Sequence, residues 1–366
     1  MEKFIAQIVS NYYEETTAKK ILQGAYILQY LDNKTKSVDR SSKARGSFAN
    51  IYAIYVLIED YIKHGYTSND LDYSKYEGMK FTDALIRTRE LPFGEKIQNH
   101  ALNSRCNDEF KKFFNNRTTE IPIIRNLTTK RYWINEKLLT MNVDGVCINL
   151  AKICIEIIDK YVELKKANFT TFFDELIMLK DNVAKTPQTA ATFISELLTP
   201  LSDARIFEIV SYVIVKYHFI EKTMTYSIDG HKYDPQKLTV YKTGRTNAND
   251  GGIDYIMLPL GRIFQVTEVL DFKKYFLDID KLIHYPITFV IKQNISPKEA
   301  LSKIRESAIT KYTDKKILND YMNCFEEIIT IPILKNLLKE NIENGHLIEK
   351  VDELIHQCKV EYNIDQ

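Results

Sequence analysis

The sequence changes character near residue 200, and this change most constrains the fold. Before it, apolar residues recur at helical spacing in residues 3–13, 47–63 and 146–164. After it, short runs of β-forming residues alternate with helical segments. A break and helix cap lie between them, at Thr199–Asp203. The sequence therefore predicts two domains: a mostly α-helical one over residues 1–200 and an α/β one over residues 201–366.

The second domain shows an order of elements that is typical of a mixed sheet. A helix over 203–219 precedes the strands, and another over 272–283 separates the last two. The predicted strands are Thr223–Ile228, Leu238–Tyr241, Ile253–Leu258, Ile263–Val269 and Ile287–Lys292. Further helices are predicted over 296–358 as a C-terminal extension. We expect an α/β catalytic unit whose mixed sheet is flanked by helices.

Composition limits the class of protein and its partners. Of the 366 residues, 45% are hydrophobic, and 50 basic residues nearly cancel 49 acidic ones. Disorder needs low hydrophobicity and high net charge, so a folded globular chain is expected. A protein that coats nucleic acid usually has a strong basic excess. Binding to DNA would therefore depend on a local basic patch.

The five cysteines and the N-terminal segment indicate a reducing cytoplasm. The cysteines are scattered, odd in number and without a CxxC pair, which predicts neither a disulfide framework nor a zinc site. The segment Met1–Ile5 lacks the apolar core of a signal peptide. No apolar run reaches the roughly 18 residues of a membrane span. We expect a cytoplasmic protein without membrane partners.

The segment from Gly244 to Ile256 carries the most informative chemistry. Three of the chain's twelve glycines lie in this polar loop, which delivers Asp254 to the start of an apolar strand. Gln265 follows eleven positions later in the next predicted strand, on the same face as Thr267. If the two strands are neighbours, Asp254 lies beside Gln265. Carboxylate and amide oxygens are ligands for a hard cation such as Mg²⁺, which could activate water toward a phosphate.

These residues resemble the Mrr-like branch of the PD-(D/E)XK nucleases, many of which are restriction endonucleases. The stretch Asp250-Gly251-Gly252-Ile253-Asp254, followed by Gln265 in a strand, matches the motif of that branch. Phe207-Glu208 matches the aromatic residue and glutamate of its preceding helix. The resemblance covers residues 203–292. It implies a restriction-endonuclease-like fold, with Asp254, Gln265 and Glu208 at a Mg²⁺ site.

One position departs from the family pattern. Thr267 stands two residues after Gln265, where the family usually has a lysine that helps to position or activate the attacking water. Other residues could supply this group. The candidates are Lys242 before the glycine loop, Lys273 on the following helix, and Glu268 if a bulge turns it inward.

Outside the motif, basic and amide side chains are candidates for contacts with DNA. Cations bind phosphates without regard to sequence, and arginines can also read guanine in a major groove. A solvated linker, or surface ion pairs beside a core Trp133, would explain the same residues. The candidates are Lys34, Lys36, Arg40, Lys43, Arg45, Arg125, Lys130, Arg131, Arg245, Asn247 and Asn249.

The resemblance thus implies a Mg²⁺-dependent endonuclease of the type II restriction class. The helical domain would recognise double-stranded DNA, and the α/β domain would cut it to leave 5′-phosphates. A palindromic target would favour a homodimer. Three alternatives stay open: a modification- or structure-dependent nuclease, a non-catalytic DNA-binding protein on the same scaffold, and a helical interaction protein unrelated to DNA.

Overall fold

The structure is a computed structural model, and it describes residues 3–36, 48–68, 71–95, 97–244, 253–312 and 314–362. The chain divides into two compact units, Met1–Phe169 and Thr170–Gln366. Each unit is described by itself below.

Helices form most of the first unit, and two small sheets accompany them. Its helices are α1 (Lys3–Tyr12), α2 (Glu15–Gly24), α3 (Tyr26–Thr35), α4 (Ala49–Lys63), α5 (Phe81–Glu90), α6 (Cys106–Phe113) and α7 (Glu136–Leu139). Helix α8 (Ala151–Asn182) begins in this unit. Its strands are β1 (Met79–Lys80), β2 (Ile123–Asn126), β3 (Arg131–Ile134), β4 (Thr140–Val143) and β5 (Val146–Asn149).

Helix α4 lies at the centre of the core of the first unit. Every residue from Asn50 to Ile58 is buried, so both the polar and the apolar sides of this helix are covered. A helix that is buried all round is expected where apolar residues are spread around its circumference. The prediction of a helix over 47–63 is confirmed within two residues.

The strands of the first unit were not predicted from the sequence. Val146–Asn149 was assigned to the start of a helix, but it is strand β5, paired antiparallel with β4. The physical reason is the turn between them, since Asp144 and Gly145 both adopt positive φ angles, which suit a tight hairpin. The helix starts only at Ala151, whose backbone N–H is capped by the side chain of Asn149 at 2.9 Å.

The second unit combines a mixed sheet with long helices. Its helices are α9 (Pro187–Leu197), α10 (Ala204–Phe219), α11 (Phe272–Lys281), α12 (Pro297–Ile309), α13 (Lys315–Asn323), α14 (Ile331–Glu343) and α15 (Leu347–Tyr362). Its strands are β6 (Thr223–Met224), β7 (Ser227–Ile228), β8 (His231–Lys232), β9 (Gln236–Lys237), β10 (Thr239–Lys242), β11 (Tyr255–Leu258), β12 (Arg262–Thr267), β13 (Ile287–Ile291) and β14 (Phe325–Thr330).

The main sheet has the order β10-β11-β12-β13-β14. Strands β10, β11 and β12 are antiparallel neighbours, whereas β13 and β14 run parallel to β12. All five residues of β13 are buried, as expected for a central strand with both faces covered. Helix α10 covers one face through contacts with Tyr255 and Phe264. Helices α11 and α12 cover the other, where Ile263 and Phe289 join their apolar core. The mixed α/β class is therefore confirmed.

Two predictions about the strands need correction. Thr223–Ile228 does not join the main sheet. Its residues supply one strand of each of two short ribbons, β6–β9 and β7–β8. Residues 296–358 are not helical throughout, because Phe325–Thr330 forms the edge strand β14. Three of its six residues are buried, and β13 supplies its ladder hydrogen bonds, so tertiary pairing decides its conformation.

The boundary between the two compact units falls after Phe169, within α8, whereas the change in sequence character lies near residue 200. The difference comes from α9, which packs against α10, α14 and α15 of the second unit. Helical periodicity in α9 resembles that of the first unit, but tertiary contacts place it in the second.

No helix in the described part of the chain combines the length and apolarity that crossing a membrane requires. All five cysteines fall within the described ranges and carry free thiols.

Candidate functional site

One edge of the main sheet gathers the residues that the motif singles out. The antiparallel register places Lys242 at the end of β10 opposite Tyr255 at the start of β11. The same edge holds the carboxyl ends of β12 and β13, because those strands run parallel to β10. Residues from four consecutive strands therefore lie at this edge.

Asp254 immediately precedes β11 and is buried, with 9% exposure. Its backbone N–H donates to the carbonyl of Phe264 at 3.0 Å, and its Oδ2 accepts the backbone N–H of Val266 at 2.6 Å. The carboxylate thus takes the place of a backbone carbonyl where β11 separates from β12. Asp254 and β12 are in direct contact, as the sequence predicted.

Gln265 lies on β12 with an amide that is almost unsatisfied. It is 6% exposed, and its Nε2 donates only a long bond, 3.4 Å, to the carbonyl of Val266. Its Oε1 is buried and has no hydrogen-bond partner among the residues that the structure describes. A buried acceptor without a partner is uncommon because it loses its bond to water. Water or a cation would satisfy this oxygen.

Glu208 is buried in α10, with 6% exposure. Its Oε1 lies 2.8 Å from Nζ of Lys242, and both side chains are less than 10% exposed. Its backbone carbonyl accepts the Tyr255 hydroxyl at 2.6 Å. Burial, together with the carboxylates of Glu208 and Asp254, raises the pKa of Tyr255 well above its usual value. The hydroxyl therefore stays protonated and holds α10 against β11.

A second ion pair joins the buried Lys292 to the partly exposed Glu268, and it was not predicted. Lys292 follows β13 and is 2% exposed, and its Nζ lies 2.7 Å from Oε1 of Glu268. The same Nζ donates to the carbonyl of Ser202, just before α10. The backbone N–H of Lys292 donates to the carbonyl of Thr267 at 2.8 Å. A lysine from the neighbouring strand therefore lies next to the position where the motif lacks one.

The other predicted lysine substitutes differ in their surroundings. Lys242 lies in the ion pair with Glu208, whereas Lys273 is exposed on α11. Glu268 is directed to Lys292 without a bulge, because the register between β12 and β13 continues regularly to Thr267. Thr267 itself is buried, with 4% exposure. One feature of the sequence could have pointed to Lys292, since it stands at the end of an apolar strand.

A cleft of about 380 Å³ opens beside Lys242. It lies between β10 and α15, on the outer side of the edge strand. The lining residues are Tyr212, Tyr241, Lys242, Gly244, His356, Gln357, Val360 and Glu361. The glycine loop continues directly from Gly244, but Arg245, Asn247, Asn249 and Asp250–Gly252 lie outside the described residues.

The predicted DNA contacts of the first unit fall into three groups. Lys34 lies 2.6 Å from Oε1 of Glu109 and is only 15% exposed, whereas Lys36 is exposed at the end of α3. Arg40, Lys43 and Arg45 lie outside the described residues. Arg125, Lys130 and Arg131 belong to the hairpin of β2 and β3.

The donor set for a cation can be tested against this geometry. Among the residues that the structure describes, no three His, Cys, Asp or Glu side chains converge as a ligand group. The Asp254 carboxylate, bonded to Val266, and the amide oxygen of Gln265, without a partner among the described residues, are nevertheless hard oxygen donors of the kind that Mg²⁺ prefers. Mg²⁺ usually keeps several waters in its shell, so two protein ligands fit it.

In comparisons with known proteins, no family model, no curated protein and no solved structure matches this chain.

Proposed function

We propose that this protein is a Mg²⁺-dependent endonuclease that cuts double-stranded DNA at specific sites, as type II restriction enzymes do. The observation that carries the proposal is the buried Oε1 of Gln265, which has no partner within the described part of the chain and lies on the strand that Asp254 contacts. A carboxylate beside an unsatisfied amide oxygen is a suitable site for a hard cation.

The order of elements supports the same reading. Helix α10 comes first, and after the short strands β6–β9 the three antiparallel strands, helix α11 and the parallel strand β13 follow; the two helices cover opposite faces of the sheet. This arrangement agrees with the restriction-endonuclease-like fold that the motif implies. The buried position of Glu208, on the helix that lies across the sheet edge, also agrees with that motif.

The chemistry follows from these side chains. Asp254 and Gln265 would hold Mg²⁺, which when bound polarises the phosphate and lowers the pKa of water. Water attacks phosphorus in line, the bond to the 3′ oxygen breaks, and this oxygen takes up a proton, leaving a 5′-phosphate. Glu208 keeps Lys242 at the edge of the site, where the ammonium would offset the negative charge of the phosphate.

A non-catalytic DNA-binding protein is the second candidate. The observation that favours it is that both buried lysines at the site are already paired with glutamates. Thr267 cannot replace the missing cation. Such a protein would bind duplex DNA but would not cut it with Mg²⁺.

The first test is the cleavage of plasmid and bacteriophage DNA, methylated and unmethylated, with Mg²⁺ or with EDTA. We expect discrete fragments only with Mg²⁺, and sequencing their ends should find 5′-phosphates at one site. Fragments that depend on methylation would identify a modification-dependent nuclease. Duplex binding without cleavage of any DNA would contradict the nuclease and favour the second candidate.

The matched variant is Asp254→Asn. Asparagine keeps an oxygen that can accept from Val266 N–H but removes the charge, so the sheet edge is preserved. We expect cleavage to fall more than about a hundredfold, because metal assistance contributes several kcal/mol to the transition state. The control is Asp229→Asn in the exposed β7–β8 turn, where asparagine tolerates the positive φ. If Asp254→Asn cuts at the wild-type rate, the assigned site is wrong.

A further inference from the structure

The hairpin formed by β2 and β3 is a basic ribbon with an ordered, exposed tip. Residues 121–135 contain three cations, Arg125, Lys130 and Arg131, and no acidic residue. In a chain whose charges cancel overall, such a segment concentrates positive potential. The whole tip from Arg125 to Lys130 is exposed, and Leu127 is 69% exposed.

The base of the hairpin is held firmly in the first unit. Ile123 and Ile134 are fully buried, and the side chain of Asn107 makes two hydrogen bonds to the backbone of Ile123, at 2.8 and 3.0 Å. Strand β1 extends the sheet on the β3 side. The ribbon is therefore a rigid projection.

The tip is also preorganised. The side chain of Asn126 accepts the backbone N–H groups of Thr128 and Thr129 at 3.0 and 3.1 Å, which closes the turn. Lys130 adopts a positive φ of 53°. A rigid element loses less conformational entropy on binding than a flexible loop does.

The three cations have different roles. Arg131 donates to the carbonyl of Gly78 at 2.6 Å and lies 4.0 Å from Glu77, so it supports the sheet. Arg125 and Lys130 form no ion pair with any residue in the described part of the chain. Their charges are the ones that a partner could use.

We propose that this hairpin, with Arg125 and Lys130 at its tip, binds duplex DNA in the major groove. Two strands about 4.8 Å apart, with their side chains, fit a groove about 12 Å wide. A long flexible cation suits a phosphate, and an arginine can contact either a phosphate or a guanine edge. This inference rests on the proposed function, because it takes DNA as the substrate.

The test is the binding of a fluorescent duplex of mixed sequence in EDTA, measured by anisotropy across a range of salt concentrations. The variant is Arg125→Gln with Lys130→Asn, since asparagine tolerates the positive φ at position 130. We expect binding to weaken by about tenfold to a hundredfold at low salt. The slope of affinity against salt should fall by about one to two.

The control removes the same charge elsewhere in the first unit. Lys63→Gln with Lys152→Gln changes two exposed lysines on α4 and α8, and it should bind as the wild type does. Thermal unfolding of both variants checks that they fold. Equal affinity and slope for the hairpin variant would overturn the inference alone. If the wild type binds no duplex, both the inference and the proposed nuclease are wrong. Binding by Asp254→Asn without cleavage would agree with both proposals.

Discussion

At the scale of single residues, the two lysines at the sheet edge are buried, and each is paired with a glutamate. Lys242 and Lys292 are both nearly inaccessible, and each lies within 2.8 Å of a glutamate oxygen. Removing one member of a buried pair leaves the other charge uncompensated, which costs more than the pair itself contributes. The two lysines are therefore part of the framework of the edge, whatever else they do.

Lys292→Met tests this at the unpredicted pair. We expect the free energy of unfolding to fall by about 3 kcal/mol, because Glu268 and the Ser202 carbonyl lose their shared donor. Urea denaturation measures the loss. The double variant with Glu268→Gln should be less destabilised than the sum of the single variants, since it leaves no unpaired carboxylate. Strict additivity would show that the two side chains are not coupled.

At the scale of elements, the backbone of Gly78 lies close to the side chain of Trp133, and this contact positions the basic hairpin. Gly78 has a φ of 88°, and a methyl group there would lie 2.7 Å from a ring carbon of Trp133 and 3.0 Å from the Tyr132 carbonyl oxygen. Trp133 is on β3, so this contact sets the distance between β1 and the hairpin. The tryptophan is partly buried against the core of the first unit.

Gly78→Ala should destabilise the first unit by about 2 kcal/mol or more, from backbone strain and the clash together. Gly145→Ala is the matched control, because its φ is 87° but nothing lies within 4 Å of the added methyl group. Differential scanning calorimetry of the two variants separates clash from strain. Equal shifts in melting temperature would mean that the Trp133 contact carries no cost.

At the scale of the whole molecule, the net charge is near zero, so the electrostatic potential at the surface depends on how the charged residues are arranged locally. Positive potential is concentrated in segments such as the hairpin, while one buried lysine affects stability on its own. Lys350 is fully buried, and its Nζ donates to the carbonyls of Asn341 and His346. Burial lowers the pKa of Lys350 to about 8, and Glu349 offsets this only in part.

This pKa predicts how stability depends on pH. Between pH 8 and 10.5 the unfolded chain binds a proton that the folded chain has released at Lys350, so folding becomes more favourable as the pH rises. Below pH 8 both states are protonated and the cost of burying the charge is complete. Compared with Lys350→Met, the wild type should therefore gain stability from pH 8 to 10.5. Urea denaturation across this range tests it, with exposed Lys339→Met as the charge control. A constant difference would contradict the prediction.

Local sequence patterns predicted much of the second unit. The helices now labelled α10 and α11 and the strands β10 to β13 follow from periodicity, turn residues and β-forming composition, which depend only on neighbours in the chain. The contact of Asp254 with the strand that bears Gln265 followed as well, because a short turn between antiparallel strands fixes their pairing.

Tertiary structure alone decided the rest. Lys292 meets Glu268, and Phe325–Thr330 becomes a strand, only because β13 lies between β12 and β14. Glu208 is buried because Lys242 approaches it from another element. These contacts join residues that are far apart in sequence, and their energy is gained only once the strand order is set. The sequence therefore determined where the candidate site lies, at Asp254 and Gln265. The packing of the sheet decided which charged side chains surround it.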